Sequence, residues 1–363
     1  MKVFANYLPQ FHQIPENDKF WGEGFTDWVA CKQAKPLFEG HHQPKLPLNG
    51  NYYDLSDPEA VRWQVNLARQ YGISGFGIYH YWFHDGLNLL TRPAQIILEN
   101  RDLDIEYFYI WDNSSWERTW SVFTGGMGWQ VEENGERKTQ VLAELRYGEE
   151  AEWKAHFDYL LPFFKDERYV KIDGKPLFAL FNTVVDHDLL HRMRDCWDRW
   201  AKESGLKGVE MITRADFRPQ PFDRRFVYSP FSPLTVKDAA WLKWIRVRGK
   251  NKVKKYDYDT MWENILAGEK RVERGTILSG YVSFDDTPRR GNNGNVATGA
   301  APEKFAGYLA RLLKLAEEKE SPFVLITAWN EWGEGACLEP DEENGYGYLE
   351  AVKKAVDSQG DKT

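Results

Sequence analysis

Eight short β-type runs, each separated from the next by a longer polar or helical stretch, recur from one end of the chain to the other, and this alternation is the signature of a parallel sheet covered by helices. The runs are 2–8, 74–82, 105–111, 176–182, 209–215, 225–229, 276–283 and 322–329. Several are continuously apolar, as strands buried on both faces require. Helical spacing is clearest over 58–71, 149–164, 188–203 and 302–318, with Ser56 or Asp57 as a start signal and Gly72 and Gly205 as stops. Eight such units predict an α/β fold, a closed (β/α)8 TIM barrel, and no Gly-x-Gly-x-x-Gly follows the first run to argue for a dinucleotide fold. A length of 363 residues suits one catalytic barrel domain over 1–363 with loop insertions. The long stretches 9–57, 113–147 and 230–257 then read as loops that build up the C-terminal face, where barrel sites lie.

That placement directs the search for chemistry to the strand ends. The eighth run ends Trp329-Asn330-Glu331-Trp332-Gly333-Glu334. Two carboxylates three apart among large aromatic rings are poorly suited to an exposed loop. As a pair, Glu331 and Glu334 would supply a proton donor and a base or nucleophile, the equipment for breaking an acetal; the alternative is a structural pair bonded to backbone amides. The first run ends in Tyr7, Gln10 and His12, and the second in His80, Tyr81, Trp82 and His84. Polar tips on aromatic bodies suit hydrogen bonds to sugar hydroxyls with stacking beside them, whereas a lone histidine is more often packed in a core. The third run ends Trp111-Asp112-Asn113, followed by Trp116. After the seventh come Asp285, Asp286 and Arg289, which would either bind a charged or hydroxylated group or form a structural Asp–Arg clasp. The histidines lack the spacing of a metal site, and the tail GNNGNVATG lacks the Lys-Ser/Thr of a phosphate loop. No metal or cofactor is expected.

Composition narrows the partners. A net charge of -8 argues against nucleic acid, although the run from Lys237 to Lys255 is locally basic and reads as a solvated helix or loop, with an anionic glycan or phosphate site as the alternative. Sixteen Trp, 18 Tyr and 21 Phe fill cores but also form the stacking walls of sugar sites. Three scattered cysteines, Cys31, Cys196 and Cys337, suggest a reducing compartment. The opening MKVFANYLPQF reads as a strand rather than a signal peptide, and no apolar run is long enough for a membrane span, so a cytoplasmic protein is expected. Oligomeric state is not encoded in any of these features.

Several segments together carry a family likeness: YLPQFH at 7–12, WGEGFTDW at 21–28, GIYHYWF at 77–83, DDTPRRG at 285–291, WNEWGEG at 329–335 and LEPD at 338–341. On them the chain resembles the WbsX-type family of bacterial polysaccharide-biosynthesis proteins, which is similar to glycoside hydrolase family 99, the endo-acting α-mannosidases and α-mannanases. The resemblance implies an oligo- or polysaccharide substrate and a retaining mechanism in which Glu331 deprotonates the sugar 2-hydroxyl, which attacks C1 to give a 1,2-anhydro sugar, while Glu334 serves as acid and then base. Such a route needs the 2-hydroxyl trans to the leaving group, as in an α-manno or α-rhamno unit. Apart from the resemblance, position at or just past the strand ends makes Tyr7, Gln10, His12, His80, Tyr81, Trp82, Asn113, Trp116, Asp286, Arg289, Trp329, Asn330 and Trp332 the candidates for substrate contact. In one place the chain departs: Ser114 stands where WbsX relatives carry a glutamate after the Asn of the third strand end, which puts the sugar in question more than the reaction. Two rival readings are a glycosyltransferase, for which Asp257-Tyr258-Asp259 is a weak Asp-x-Asp match, and a non-catalytic glycan-binding barrel.

Overall fold

A computed structural model describes residues 1–117, 130–133, 136–139, 141–182, 186–248 and 252–360. All eight expected strands are present: β1 (Val3–Tyr7), β2 (Gly75–Trp82), β3 (Glu106–Trp111), β4 (Lys175–Leu180), β5 (Glu210–Arg214), β6 (Arg225–Phe226), β7 (Leu278–Tyr281) and β8 (Val324–Thr327). Each pairs in parallel with its sequence neighbours, and β8 returns to β1. The ring closes between β6 and β7 through a single parallel bridge, Phe226 to Ile277. This is the (β/α)8 barrel read from the alternation, with the chain order preserved around the ring.

The principal helices are α1 (Asp27–Gln33), α2 (Pro58–Gln70), α3 (Arg92–Glu99), α4 (Glu150–Lys165), α5 (His187–Glu203), α6 (Val236–Arg248), α7 (Tyr258–Glu269), α8 (Pro302–Glu318) and α9 (Gly347–Gly360). Local chemistry explains the starts. The Asp57 side chain accepts from the Glu59 amide with Pro58 in the first turn of α2, and Asp186 accepts from the Leu189 amide at α5. The stretches 9–57 and 230–257, expected as loops, contain the helices α1 and α6 respectively; α1 is too short to show a period, and the apolar positions of α6 fall all around it rather than along one stripe. Of the third long stretch, residues 118–129, 134–135 and 140 lie outside the described residues. Between β5 and β6 there is no helix; residues 215–224 connect them directly.

Side chains alternate across each strand, and this decides what can reach a site. Along β2, Gly75, Gly77, Tyr79 and Tyr81 face the barrel axis, where a Cβ on Gly77 would lie 2.8 Å from Ile110 Cδ1. The intervening residues face the helices. There His80 stacks on Tyr159 of α4, and Phe178 of β4 packs against Trp197 of α5. Trp111, Trp197, Trp262, Trp329 and Trp332 are all fully buried. Most of the aromatic excess is therefore core between sheet and helices, each ring burying roughly 150–250 Å². No helix of the described residues is long and apolar enough to cross a membrane.

Candidate active site

The segment after β8 is held by its own side chains. Asn330 clamps the exit of β1, accepting from the Leu8 amide (2.7 Å) and donating to the Leu8 carbonyl (3.0 Å). Asn330–Glu331 then pairs with Ala336–Cys337 around a single 3-10 turn, Trp332–Glu334. Gly335 closes that turn at φ 59°, and a Cβ there would come within 2.9 Å of Asp285 Cβ. The turn sends both glutamates to one place. Glu331 and Glu334 accept from the same atom, Nη1 of Arg289, at 3.2 and 2.9 Å.

Arg289 lies on the short helix Thr287–Arg290 and reaches across the mouth of the barrel to Asp27 at the start of α1 (3.0 Å). Gly333 makes this approach feasible, since a Cβ on it would sit 2.6 Å from Arg289 Nε. Three carboxylates thus surround one guanidinium, which holds the Arg289 proton more firmly than usual despite burial. Burial, followed by the Glu334 charge, holds the Glu331 carboxyl well above the ordinary carboxylate range, with Arg289 opposing only in part. Among the described residues, Glu331 Oε2 is buried without a hydrogen-bond partner.

Around this floor the cleft is walled by inward-facing residues of several strand exits. Tyr79 and Tyr81 come from β2, Asp112, Ser114 and Trp116 from beyond β3, Phe181 from β4 and Tyr228 from β6, while Leu8, Gln10, Trp21 and Phe25 come from the first long loop. Burial first keeps the phenols of Tyr79, Tyr81 and Tyr228 protonated as donors; the next contribution comes from the Tyr228 phenol for Tyr79, from Asp112 for Tyr81 and from Glu334 for Tyr228. Tyr79 and Tyr228 meet hydroxyl to hydroxyl at 3.4 Å. Asp112 has its carboxyl raised by burial and receives Ser114 Oγ (2.7 Å) and Asn182 Nδ2 (3.0 Å), both on Oδ1. Ser114 therefore occupies the cleft wall as a donor to Asp112.

Six of the fifteen expected site residues line the cleft: Gln10, Tyr81, Trp116, Arg289, Glu331 and Glu334. The other nine do not. Tyr7, His80, Trp82 and Trp329 occupy the outer face: the Tyr7 hydroxyl donates to Gln64 of α2, His80 and Trp82 meet His156 of α4, and Trp329 packs on Phe76. Alternate strand residues share a face, so Tyr81 in the cleft puts both His80 and Trp82 on the opposite side. His12 is buried away from the cleft, with its imidazole held low by burial. Asn113 joins two strand exits, donating to Tyr147 (2.7 Å) and to the Asn182 carbonyl (3.0 Å). Asp286 is the clasp rather than a ligand, bonded to Asn295 and Arg290. Asn330 serves the β1 clamp, and Trp332 donates from Nε1 to Glu339 at 2.7 Å. His84 lies on the outside as well, paired with Glu152 and Asp85.

The residues overlooked were Asp27, Tyr79, Asp112, Phe181 and Tyr228, together with Trp21 and Phe25. Period-two counting back from Tyr81 would have found Tyr79. Asp112 was one residue from the Asn113 that was chosen. The Asp-x-Asp match is accounted for structurally: Asp257 caps α7 through Thr260, and Asp259 pairs with Lys304.

Comparison with known proteins adds to this geometry. The sequence model of the family described as Glycosyltransferase WbsX matches residues 3–352. A protein of Xanthomonas campestris pv. campestris (strain ATCC 33913), described as uncharacterized protein WxcX, is 30% identical over 364 residues, 98% of this chain and 49% of that protein. The chain thus spans about half the length of the curated relatives it matches. Among solved structures, the GH99 endo-alpha-mannosidase from Bacteroides thetaiotaomicron superposes with a TM-score of 0.55 at 14% identity, covering 99% of this chain and 97% of that one. A glycoside hydrolase-like protein gives 0.57 at 14% identity, over 98% and 93%. These two likenesses are of fold.

Proposed function

The chain belongs to the Glycosyltransferase WbsX family, and from that premise we propose that it is a carbohydrate-active enzyme that hydrolyses glycosidic bonds with Glu331 and Glu334 as its catalytic pair. The observation that carries the reading is the sharing of Arg289 Nη1 by both carboxylates at the floor of an aromatic-walled cleft. Oxygens at 3.2 and 2.9 Å from one nitrogen are closer together than the roughly 6.5–9.5 Å that admits a water in inverting glycosidases, which supports a retaining reading.

The residues would act in this order. Oε2 of Glu331, buried without a partner, takes the proton of the sugar 2-hydroxyl as that oxygen bonds to C1. The bond from C1 to the leaving oxygen breaks, and Glu334 gives its proton to that oxygen. Water then attacks C1 of the 1,2-anhydro sugar and leaves its proton on Glu334, the C1–O2 bond opens, and O2 recovers its proton from Glu331. Before substrate binds, burial favours the shared proton on Glu331. A 2-hydroxyl donating to Oε2 stabilises the ionised form and moves the proton to Glu334, where the leaving group needs it. Attack by the 2-hydroxyl requires that it lie trans to the leaving group, as in an α-manno or α-rhamno unit, and the long loops around an open cleft favour internal cleavage of a polysaccharide.

The family's description favours a second reading, transfer to a sugar acceptor. The same anhydro sugar would serve, with an acceptor hydroxyl in place of water. The deciding measurement compares α-mannosides and α-rhamnosides with their 2-deoxy counterparts. Ready cleavage of a 2-deoxy substrate would sink participation of the 2-hydroxyl, and products longer than the substrate would favour transfer.

A further inference from the structure

Helix α6 and the segment after it concentrate a charge that the rest of the chain opposes. From Lys237 to Lys255 the sequence has eight Lys or Arg residues against one acid, Asp238, in a chain of net charge -8. The same helix exposes apolar side chains. Among the described residues, Val236 (67% exposed) and Trp244 (53%) are the most exposed large hydrophobics, and Trp241 follows at 47% in the same turns. Val236, Ala240 and Trp244 are four apart and stack on one face, beside Lys237 and Trp241; Lys237, Ala240 and Lys243 are exposed as well. Scattered exposed hydrophobics need no explanation, but three within nine residues of one helix form a patch.

We propose that α6 docks this chain on a membrane surface carrying anionic lipid. The aliphatic and tryptophan face enters the headgroup boundary, where indole rings are favoured, and the flanking lysines meet lipid phosphates. One observation favours a bilayer over an acidic polysaccharide: a glycan gains from rings and cations but little from an exposed Val236 and Ala240.

The position of α6 gives the docking a direction. It follows Tyr228 of the cleft wall, and Phe231 in the link packs on Phe284 beyond β7 with ring centroids 5.0 Å apart. It therefore stands at the end of the barrel that holds the cleft. Docked, the mouth lies beside the lipid surface, within reach of a glycan carried there. The proposal does not depend on the catalytic reading.

Flotation of the 363-residue chain with phosphatidylcholine vesicles, with and without phosphatidylglycerol, tests it. Binding is expected with the anionic vesicles and should weaken as salt is raised. Lys237→Glu with Lys243→Glu should lower it by more than the roughly fivefold expected for each lysine lost. Trp241→Ser with Trp244→Ser should abolish it. Thermal melts of both double variants show whether they fold, and the salt series on the intact chain serves if one does not. Failure of the intact chain to float with anionic vesicles would overturn the proposal. So would flotation unchanged in folded double variants, or binding through these residues to a soluble acidic polysaccharide and not to vesicles.

Discussion

Asp27 and Glu331, from opposite ends of the chain, accept hydrogen bonds from one nitrogen, Nη2 of Arg289, at 3.0 and 3.2 Å. With Glu334 on Nη1, one cation faces three acids, and the excess negative charge adds to burial in keeping a proton on the Glu331–Glu334 pair.

The pair should therefore work singly protonated. As pH rises through the raised Glu331 value the shared proton is lost, so kcat/KM of the intact enzyme should fall. In the Glu334→Gln protein acting on an activated aryl glycoside only the base is needed, and the sign reverses: the rate should rise as Glu331 ionises. Parallel pH profiles for the two proteins would show that Glu331 does not titrate in the step observed.

On a natural sugar leaving group, Glu334→Gln should cost about 10²–10⁴-fold, the usual contribution of one acid–base residue, and much less on an aryl glycoside. Glu331→Gln should fail on both, because the 2-hydroxyl is then never activated. Because Glu334 also takes the proton of the attacking water, kcat/KM, which reports cleavage of the glycosidic bond, separates these roles, and an equal loss of kcat/KM in Glu334→Gln on both types would remove its assignment as acid.

The two faces of the barrel wall should respond differently to substitution. Trp116→Ala, in the cleft, should raise KM roughly tenfold, equivalent to about 1.4 kcal/mol, with little change in melting temperature. His80→Ala should instead destabilise the fold by about 2–4 kcal/mol, leaving a cavity and an unpaired His156, while KM stays the same. Denaturant titration together with KM for each variant checks both; a raised KM in folded His80→Ala would place that residue in the site after all.

Beneath the turn that carries Glu331 and Glu334, Glu339 receives Tyr53, Trp332 and Gln64, and burial pushes its carboxyl up to about 7. Its unfolded value is near 4.3. Below that pH both states are protonated and nothing is lost; between about 4.3 and 7 the unfolded chain ionises first, so stability falls as pH rises and then levels. Glu339→Gln cannot ionise, and its unfolding free energy should fall less over that window. Urea titrations near pH 5 and pH 7 give the comparison, and identical slopes would exclude Glu339 as the titrating group.

The barrel was legible because eight apolar runs, such as 74–82 and 322–329, stand out against polar connections. The floor of the cleft was legible only where it is local. Glu331 and Glu334 belong to one turn, but Asp27 reaches them only once β1 and β8 are side by side, and nothing near residue 27 signals that neighbour. The errors at Tyr7, His80, Trp82 and Trp329 have one cause: each strand end was located but not its phase, and a shift of one residue turns a side chain to the opposite face. The β1 clamp by Asn330 shows the remaining difficulty, since a polar side chain beside a catalytic residue is as well suited to holding backbone as to holding sugar.

The cylinder is stitched unevenly. Most neighbouring strands share three or more paired residues, whereas β6 has two residues and meets β7 at one bridge, with the amides of Val227 and Ile277 spanning the seam. Deuterium from the solvent should therefore enter those amides before those of β1 or β2, since local opening is easiest where fewest bonds must break together. Tyr228 follows directly after the seam, so the side of the cleft it forms would breathe with it, and a bulky chain could be admitted there while the floor under Arg289 stays still.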